Sequence, residues 1–313
     1  MARGVVRHLT SSSNPMALYE PTDFVIGRSL LNLNYAYVST TVIWVYDYII
    51  TFDDELAYFR KSTWGKVKIL YLMCRYLPFV LLAADTYQVL QPALPLSQCQ
   101  TYFQINSWLE GITLVAAEWM FILRTYAIWG RSRRILIILL SSFFAILIPV
   151  IYILTSFGNS VTISEPPIPN ITSCYNVGES RIIVVAYVLL VVAEFEILSF
   201  TLYRSIKHYR SLTNDNHLLN ILIQHNVFYF ICGLFFSLLV ILTIALLPSV
   251  YGDMASNLQV TVHALLVTRM HLELWRSDRA QRFVLVDDNI ALDTLDQVLR
   301  SRNQDWHRNI LAT

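Results

Sequence analysis

The stretch RRILIILLSSFFAILIPVIYILTSF, residues 133–157, opens on two arginines and then runs from Ile135 to Phe157 without a charged side chain. A helix rises about 1.5 Å per residue, so about 20 apolar residues cross roughly 30 Å of hydrocarbon. This stretch is long enough to span a membrane, and the arginines at its head mark the end left in water. Six further apolar segments flank it, near 31–51, 67–90, 103–127, 182–204, 221–247 and 252–274. The first is diluted by Asn32, Asn34, Ser39, Thr40, Thr41 and Asp47, and the seventh carries His263 and Arg269.

The loops give these spans a direction. Arg60, Lys61, Lys66 and Lys68 follow the first span, and Arg131, Arg133 and Arg134 follow the third. Arg204, Lys207 and Arg210 follow the fifth, and Arg276, Arg279 and Arg282 the seventh. The alternate loops hold almost no basic residues: none in 91–102, Arg181 alone in 158–181, none in 248–253. Basic loops stay in the cytoplasm, so the pattern predicts an amino terminus outside and a carboxyl terminus inside, with Arg3, Arg7 and Arg28 opposing from the tail. The expected fold is an all-α membrane protein of seven transmembrane helices in a receptor-like bundle. Its parts are an extracellular tail over 1–30, the bundle over 31–274 and a cytoplasmic tail over 275–313, with a short amphipathic helix from His271 to Phe283.

Composition agrees. Hydrophobic residues make up 55% and charged residues 14%, where a soluble chain carries about a quarter charged. A net charge of +1 excludes nucleic acid as a partner, because a phosphate backbone needs a concentrated basic face. The lipid bilayer is the expected environment, at the plasma membrane.

Of the four cysteines, Cys74 and Cys232 fall inside spans. Cys99 and Cys174 both fall on the outer side, where an oxidising exterior allows a disulfide. Asn170-Ile171-Thr172, in the same long outer loop, is an N-glycosylation acceptor. The adjoining Glu165-Pro166-Pro167-Ile168-Pro169 predicts an extended, stiff segment.

Ionisable groups at membrane depth cost about 2.5–3.5 kcal/mol each on insertion scales and face partners or water-filled cavities. Asp47 and Arg75 stand on consecutive antiparallel spans at nearly matched depth. That predicts a buried ion pair, with Glu118 at a similar level joining the cluster. The bland role for such a cluster is to fix helix register and neutralise itself. Asp85 and Glu110 in the outer half, and Glu194 as the deeper of the Glu194/Glu196 pair, are candidates for a pocket or vestibule. Arg124, Tyr126, Arg131, Arg133 and Arg134 form the candidate cytoplasmic coupling surface, although Arg124 also suits an ordinary snorkelling role.

Several chemistries drop out. None of the lysines, Lys61, Lys66, Lys68 and Lys207, lies in the seventh span, so no retinal Schiff base is available. His225, His263 and His271 lie at different depths, which argues against a three-histidine metal site. No phosphate-binding glycine loop and no Gly-x-Ser-x-Gly occurs. The chain is expected to be no enzyme and to need no cofactor and no metal.

Cys99 and Arg124 are separated by 25 residues, and Arg124-Thr125-Tyr126 closes the third span. In this the chain resembles the rhodopsin-like G-protein-coupled receptors, in which a disulfide ties the outer end of the third helix to the second outer loop. Leu123 stands where those receptors carry an acid, and the chain has neither their Asn-Pro-x-x-Tyr nor their Trp-x-Pro. Tyr46-Asp47-Tyr48, Thr51, Glu55, Trp64, Lys66 and Arg75-Tyr76 extend a second likeness. So do Arg124-Thr125-Tyr126-Ala127-Ile128-Trp129 and Arg269-Met270-His271-Leu272-Glu273-Leu274. By these the chain resembles a large multi-pass family of mushroom-forming fungi whose N-terminal part is a domain of unknown function. That resemblance implies seven helices and a membrane location and supplies no activity. The expected function is a receptor-like protein that senses an unknown small-molecule or lipid ligand and signals to a cytoplasmic partner such as a heterotrimeric G protein. The alternatives are a small-solute or proton-coupled transporter and a ligand-free membrane scaffold.

Overall fold

The computed structural model describes residues 21–91, 95–164, 166–168, 171–172, 175–178, 182–211 and 217–279. Seven helices lie among these described residues. They are α1 Pro21–Lys61, α2 Lys66–Leu90, α3 Leu96–Ile128, α4 Arg133–Ser160, α5 Ile183–Ser211, α6 His217–Leu246 and α7 over 249–279. Each apolar segment read from the sequence falls, to within a residue, in its own helix. Five of the seven, α2 to α6, are long and apolar enough to cross a membrane, consistent with an integral membrane protein. α1 and α7 are long enough but too polar by the same measure.

Burial explains why. Among the five apolar helices, α4 has the highest hydropathy and only 11% of its central window buried, whereas α3 has the lowest and 50% buried. In a water-soluble protein the most apolar helix would be the most buried. The reversed order is what a hydrocarbon solvent produces, since lipid-facing positions must be apolar and interior ones are free to carry polar groups. The outward faces read accordingly, with Ile137, Ile148 and Tyr152 on α4 and Val42 and Ile49 on α1 all exposed. α7 lies at the other extreme. Every residue from 249 to 275 is buried or half-buried, with part of the Arg269 side chain open, so α7 is largely surrounded by protein and has little need of apolar mass. It also continues unbroken through 279, so the separate amphipathic helix expected over 271–283 begins as part of α7.

The connections define two ends of the bundle. At the end carrying the basic loops, the α1–α2 turn is closed by Lys68, which is buried. Its ammonium donates to the carbonyls of Phe59 and Ser62, both at 3.0 Å, and lies 4.5 Å from the Trp64 ring centroid. Those carbonyls are the ones a helix leaves unpaired at its last turn, so Lys68 is a cap for α1. Between α3 and α4, Gly130 and Arg131 both take left-handed backbone, φ 64° and 59°, with Arg131 N–H donating to the Tyr126 carbonyl at 3.1 Å. Nothing lies within 4 Å of a Cβ built on Gly130, so only its backbone demands glycine. Gly130→Ala is therefore expected to cost about 1 kcal/mol, read as a lower melting temperature in detergent.

The opposite end carries a small antiparallel ribbon, β1 Thr162–Ser164 with β2 Tyr175–Gly178, paired Ile163 to Asn176 and Ser164 to Tyr175. The sequence predicted an extended loop here and not a paired one, because the two short strands are separated by the proline segment that returns the chain. The loop lies over α1. Asn34 donates from Nδ2 to the Ile171 carbonyl at 2.7 Å, and a Cβ on Gly27 would stand 2.7 Å from Ile168 Cδ1.

Candidate functional site

Three polar layers are strung along α7, headed by Asn257, His263 and Arg269. Consecutive heads are six residues apart, or about 9 Å along a helix axis.

The layer nearest the ribbon is built on Asp85 of α2, which is fully buried. Its carboxylate accepts from Asn257 Nδ2 at 2.5 Å, from Asn106 Nδ2 at 2.8 Å and from the Tyr102 hydroxyl at 3.2 Å. One acid thus ties α2, α3 and α7 through neutral donors. Beside it, Ser256 donates to Glu110 Oε2 at 3.1 Å, and the Ser256 and Tyr187 hydroxyls are 2.6 Å apart. Glu110 and Ser256 face a cavity of about 490 Å³ walled by α3, α4, α5 and α7, with Ile163 and Asn176 of the ribbon also lining it. That volume suits a small organic ligand, and a mostly apolar wall with a few convergent polar groups is the usual make-up of such sites.

The middle layer gathers Glu118 of α3, Glu194 of α5 and His263 of α7, all buried. Glu194 Oε1 lies 2.7 Å from His263 Nε2 and accepts from the Ser237 hydroxyl at 2.6 Å, while Gln259 Nε2 donates to that hydroxyl at 2.7 Å. Glu118 Oε1 is 3.9 Å from His263 Nε2. One donor atom from each of the three residues lies within 4.8 Å of the others, a spacing compatible with a shared metal ion. Neighbouring Glu196 turns the other way and accepts from Ser142 of α4.

The layer nearest the basic loops is ionic. Arg75 donates from Nη1 to Asp47 Oδ2 at 2.7 Å, from Nε to Glu55 Oε2 at 3.2 Å and from Nη2 to the Thr51 hydroxyl. Arg269 binds the other oxygen of Asp47, and the Tyr76 hydroxyl donates to Glu55 Oε1 at 3.0 Å. Arg75 also stands 5.1 Å and 5.6 Å from the ring centroids of Tyr48 and Trp44. Two carboxylates face two guanidiniums, so the charge closes within the layer.

The structure brings Asp47 and Arg75 together and leaves Glu118 out, because the Glu118 side chain points to the α5–α7 side. It supplies Thr51, Glu55 and Arg269 instead. The first two were legible as a ridge: Asp47, Thr51 and Glu55 recur every four residues on one face of α1. α1 runs to Lys61, so Glu55 lies on the same helix beyond the apolar segment that ends at 51. Glu194 belongs to the middle layer with Glu118 and not to a vestibule.

Arg124 is buried, and its Nη1 donates to the Met270 carbonyl at 2.9 Å, joining α3 to α7. It is therefore a packing contact and not part of an exposed coupling surface. Arg131, Arg133 and Arg134 are exposed, and Tyr126 is half-buried. Cys99 is buried at the start of α3, while its expected partner Cys174 and the acceptor Asn170 lie outside the described residues.

The match to known families is confined to the start of this bundle. A family of unknown function (DUF6533) is found at residues 35–80. That segment covers the central part of α1, the α1–α2 turn and much of α2, and it holds Asp47, Thr51, Glu55, Arg75 and Tyr76, every member of the ionic layer except Arg269. No curated protein and no solved structure matches the chain.

Proposed function

We propose that this protein is a seven-span membrane receptor with its amino terminus outside, the ribbon at the outer face of the plasma membrane and the basic loops in the cytoplasm. A small amphipathic ligand occupies the 490 Å³ cavity and signals through α7 to a cytoplasmic partner, a heterotrimeric G protein being the candidate. The observation that carries this reading is the reach of one buried helix. α7 presents Ser256 to the cavity group Glu110, and about 20 Å further on its Arg269 and Met270 carbonyl bind Asp47 and Arg124. A ligand that moves Ser256 displaces a rigid element that has two discrete partners at the other end.

The polar span α1 fits this placement. Over 31–51 most of its exposed residues are apolar, Asn32 and Ser39 excepted, and Asn34, Asp47 and Thr51 turn inward to partners.

Three polar layers at successive depths also favour the second reading, a proton-coupled transporter. Against continuous conduction, Met120, Phe121, Phe230 and Val267 pack into one apolar cluster next to the middle layer, and Trp44, Leu81, Leu82 and Ala264 into another. A pocket separated from an inner lock is the receptor arrangement.

The test is retention of heterotrimeric G-protein α subunits after nucleotide depletion. Native chain is expected to hold them, and Arg124→Ala to hold about tenfold less, within the usual range of allosteric coupling. Nucleotide exchange unchanged by substitutions at Arg124, Arg131, Arg133 and Arg134 would overturn the receptor reading. Proton-driven uptake into liposomes that fails with Glu110→Gln would then establish the transporter.

A further inference from the structure

The middle layer holds more negative charge than its neighbours neutralise, and its donors point at one place. Both carboxylate oxygens of Glu118 are buried without a hydrogen-bond partner among the described residues, as is Oε2 of Glu194. The Glu118 side chain is only 6% exposed, and that of Glu194 5%. A buried carboxylate without a protein donor is costly.

The imidazole beside them is oriented by its other nitrogen. His263 Nδ1 lies 3.2 Å from the Gln259 carbonyl oxygen, which can only accept, so Nδ1 carries a proton. Nε2 is the nitrogen that faces Glu118 and Glu194. A ring whose far N–H is fixed on a backbone carbonyl is the arrangement that metal-binding histidines use to hold their tautomer. Nε2 stands 2.7 Å from Glu194 Oε1, where a proton on Nε2 makes an ion pair and a bound cation would take that proton's place.

We infer that Glu118, Glu194 and His263 form a divalent-cation site. Two carboxylates and an imidazole whose Nε2 proton is displaced make a charge of minus two, which one divalent ion cancels. One nitrogen and two or more oxygen donors without a thiolate suit zinc or a similar borderline ion, bound at about 2.0–2.2 Å. The three donor atoms, all within 4.8 Å of one another, need to move little to reach those distances. Glu118 also lines the cavity, so the ion has a route from that side. Bound there, it would pin α3, α5 and α7 together directly beneath the ligand cavity, whichever function the cavity serves.

The experiment uses the full chain in detergent, stripped with a chelator and returned to zinc or to magnesium alone. The native chain is expected to take up about one zinc per molecule and to melt at a higher temperature with zinc than with magnesium. Glu118→Gln removes a ligand that has no hydrogen bond to lose, so this variant should fold as the stripped native chain does while binding zinc about tenfold or more weakly. Glu194→Gln keeps an oxygen for Ser237 and should show the same loss. The inference fails if stripped native chain takes up no stoichiometric zinc. It fails equally if Glu118→Gln binds zinc as the native chain does, which would place the ion elsewhere. None of these readouts involves a G protein or a ligand, so the site and the receptor reading stand or fall separately.

Discussion

Arg75→Met is expected to be the most damaging single substitution in this bundle. It removes the donor to Asp47, Glu55 and Thr51 at once and strips two buried carboxylates of their main counter-charge. Breaking a buried pair by deleting one partner costs about 3–5 kcal/mol, because the survivor keeps its desolvation penalty and loses its compensation. The loss should appear as a large fall in the melting temperature of detergent-solubilised protein and in the yield of monodisperse chain. The control is the triple substitution Arg75→Met with Asp47→Asn and Glu55→Gln. By removing the orphaned charges it should recover most of the loss, since buried ion pairs replaced whole are often close to neutral. Arg269 loses its partner in that triple variant, but its side chain is 43% exposed and can turn to the aqueous edge. If the triple variant is no better than Arg75→Met alone, the layer is held by packing against Trp44 and Tyr48 and not by charge.

Asp85→Leu should follow closely. Three donors from α3 and α7, Tyr102, Asn106 and Asn257, share this one acceptor. Each buried donor left unsatisfied costs about 1–3 kcal/mol, so a total of about 3 kcal/mol or more is expected. Asp85→Asn keeps one acceptor oxygen in nearly the same volume and should lose distinctly less. Thermal unfolding of the two variants side by side separates the hydrogen-bond role from a role for charge. Equal losses would mean that the negative charge itself holds the layer.

How much of this was legible in the sequence follows from what each signal measures. Helix positions were readable because hydropathy reports contact with lipid, and α4 and α6 face it over most of their surface. The Asp47–Arg75 contact was readable because adjacent antiparallel helices convert sequence distance into depth. Depth does not give azimuth, however. Glu118 sits at a suitable level but on a face of α3 turned toward α5 and α7, and a single helix carries no mark of which neighbour it meets. Contacts to α7 were the least accessible. Asp47 meets Arg269 across 222 positions, and Asp85 meets Asn257 across 172. Nothing local encodes such pairings. Lys68 shows a different gap: as a loop charge it supports the orientation, and only coordinates reveal that it is buried and closes a helix end.

The burial of α7 bears on how the chain is made. Asp47, Asp85, Glu110 and Glu194 come from α1, α2, α3 and α5, which are made before α7, and each of them has a partner on α7. Until α7 docks, these acids lack part of their polar partners, Asp47 keeping Arg75, Asp85 keeping Tyr102 and Asn106, and Glu194 keeping Ser237. α7 is more polar than the five candidate spans, so its docking is what closes the polar interior. A chain lacking α7 would keep these acids only partly compensated, and docking of that one helix completes all three layers at once.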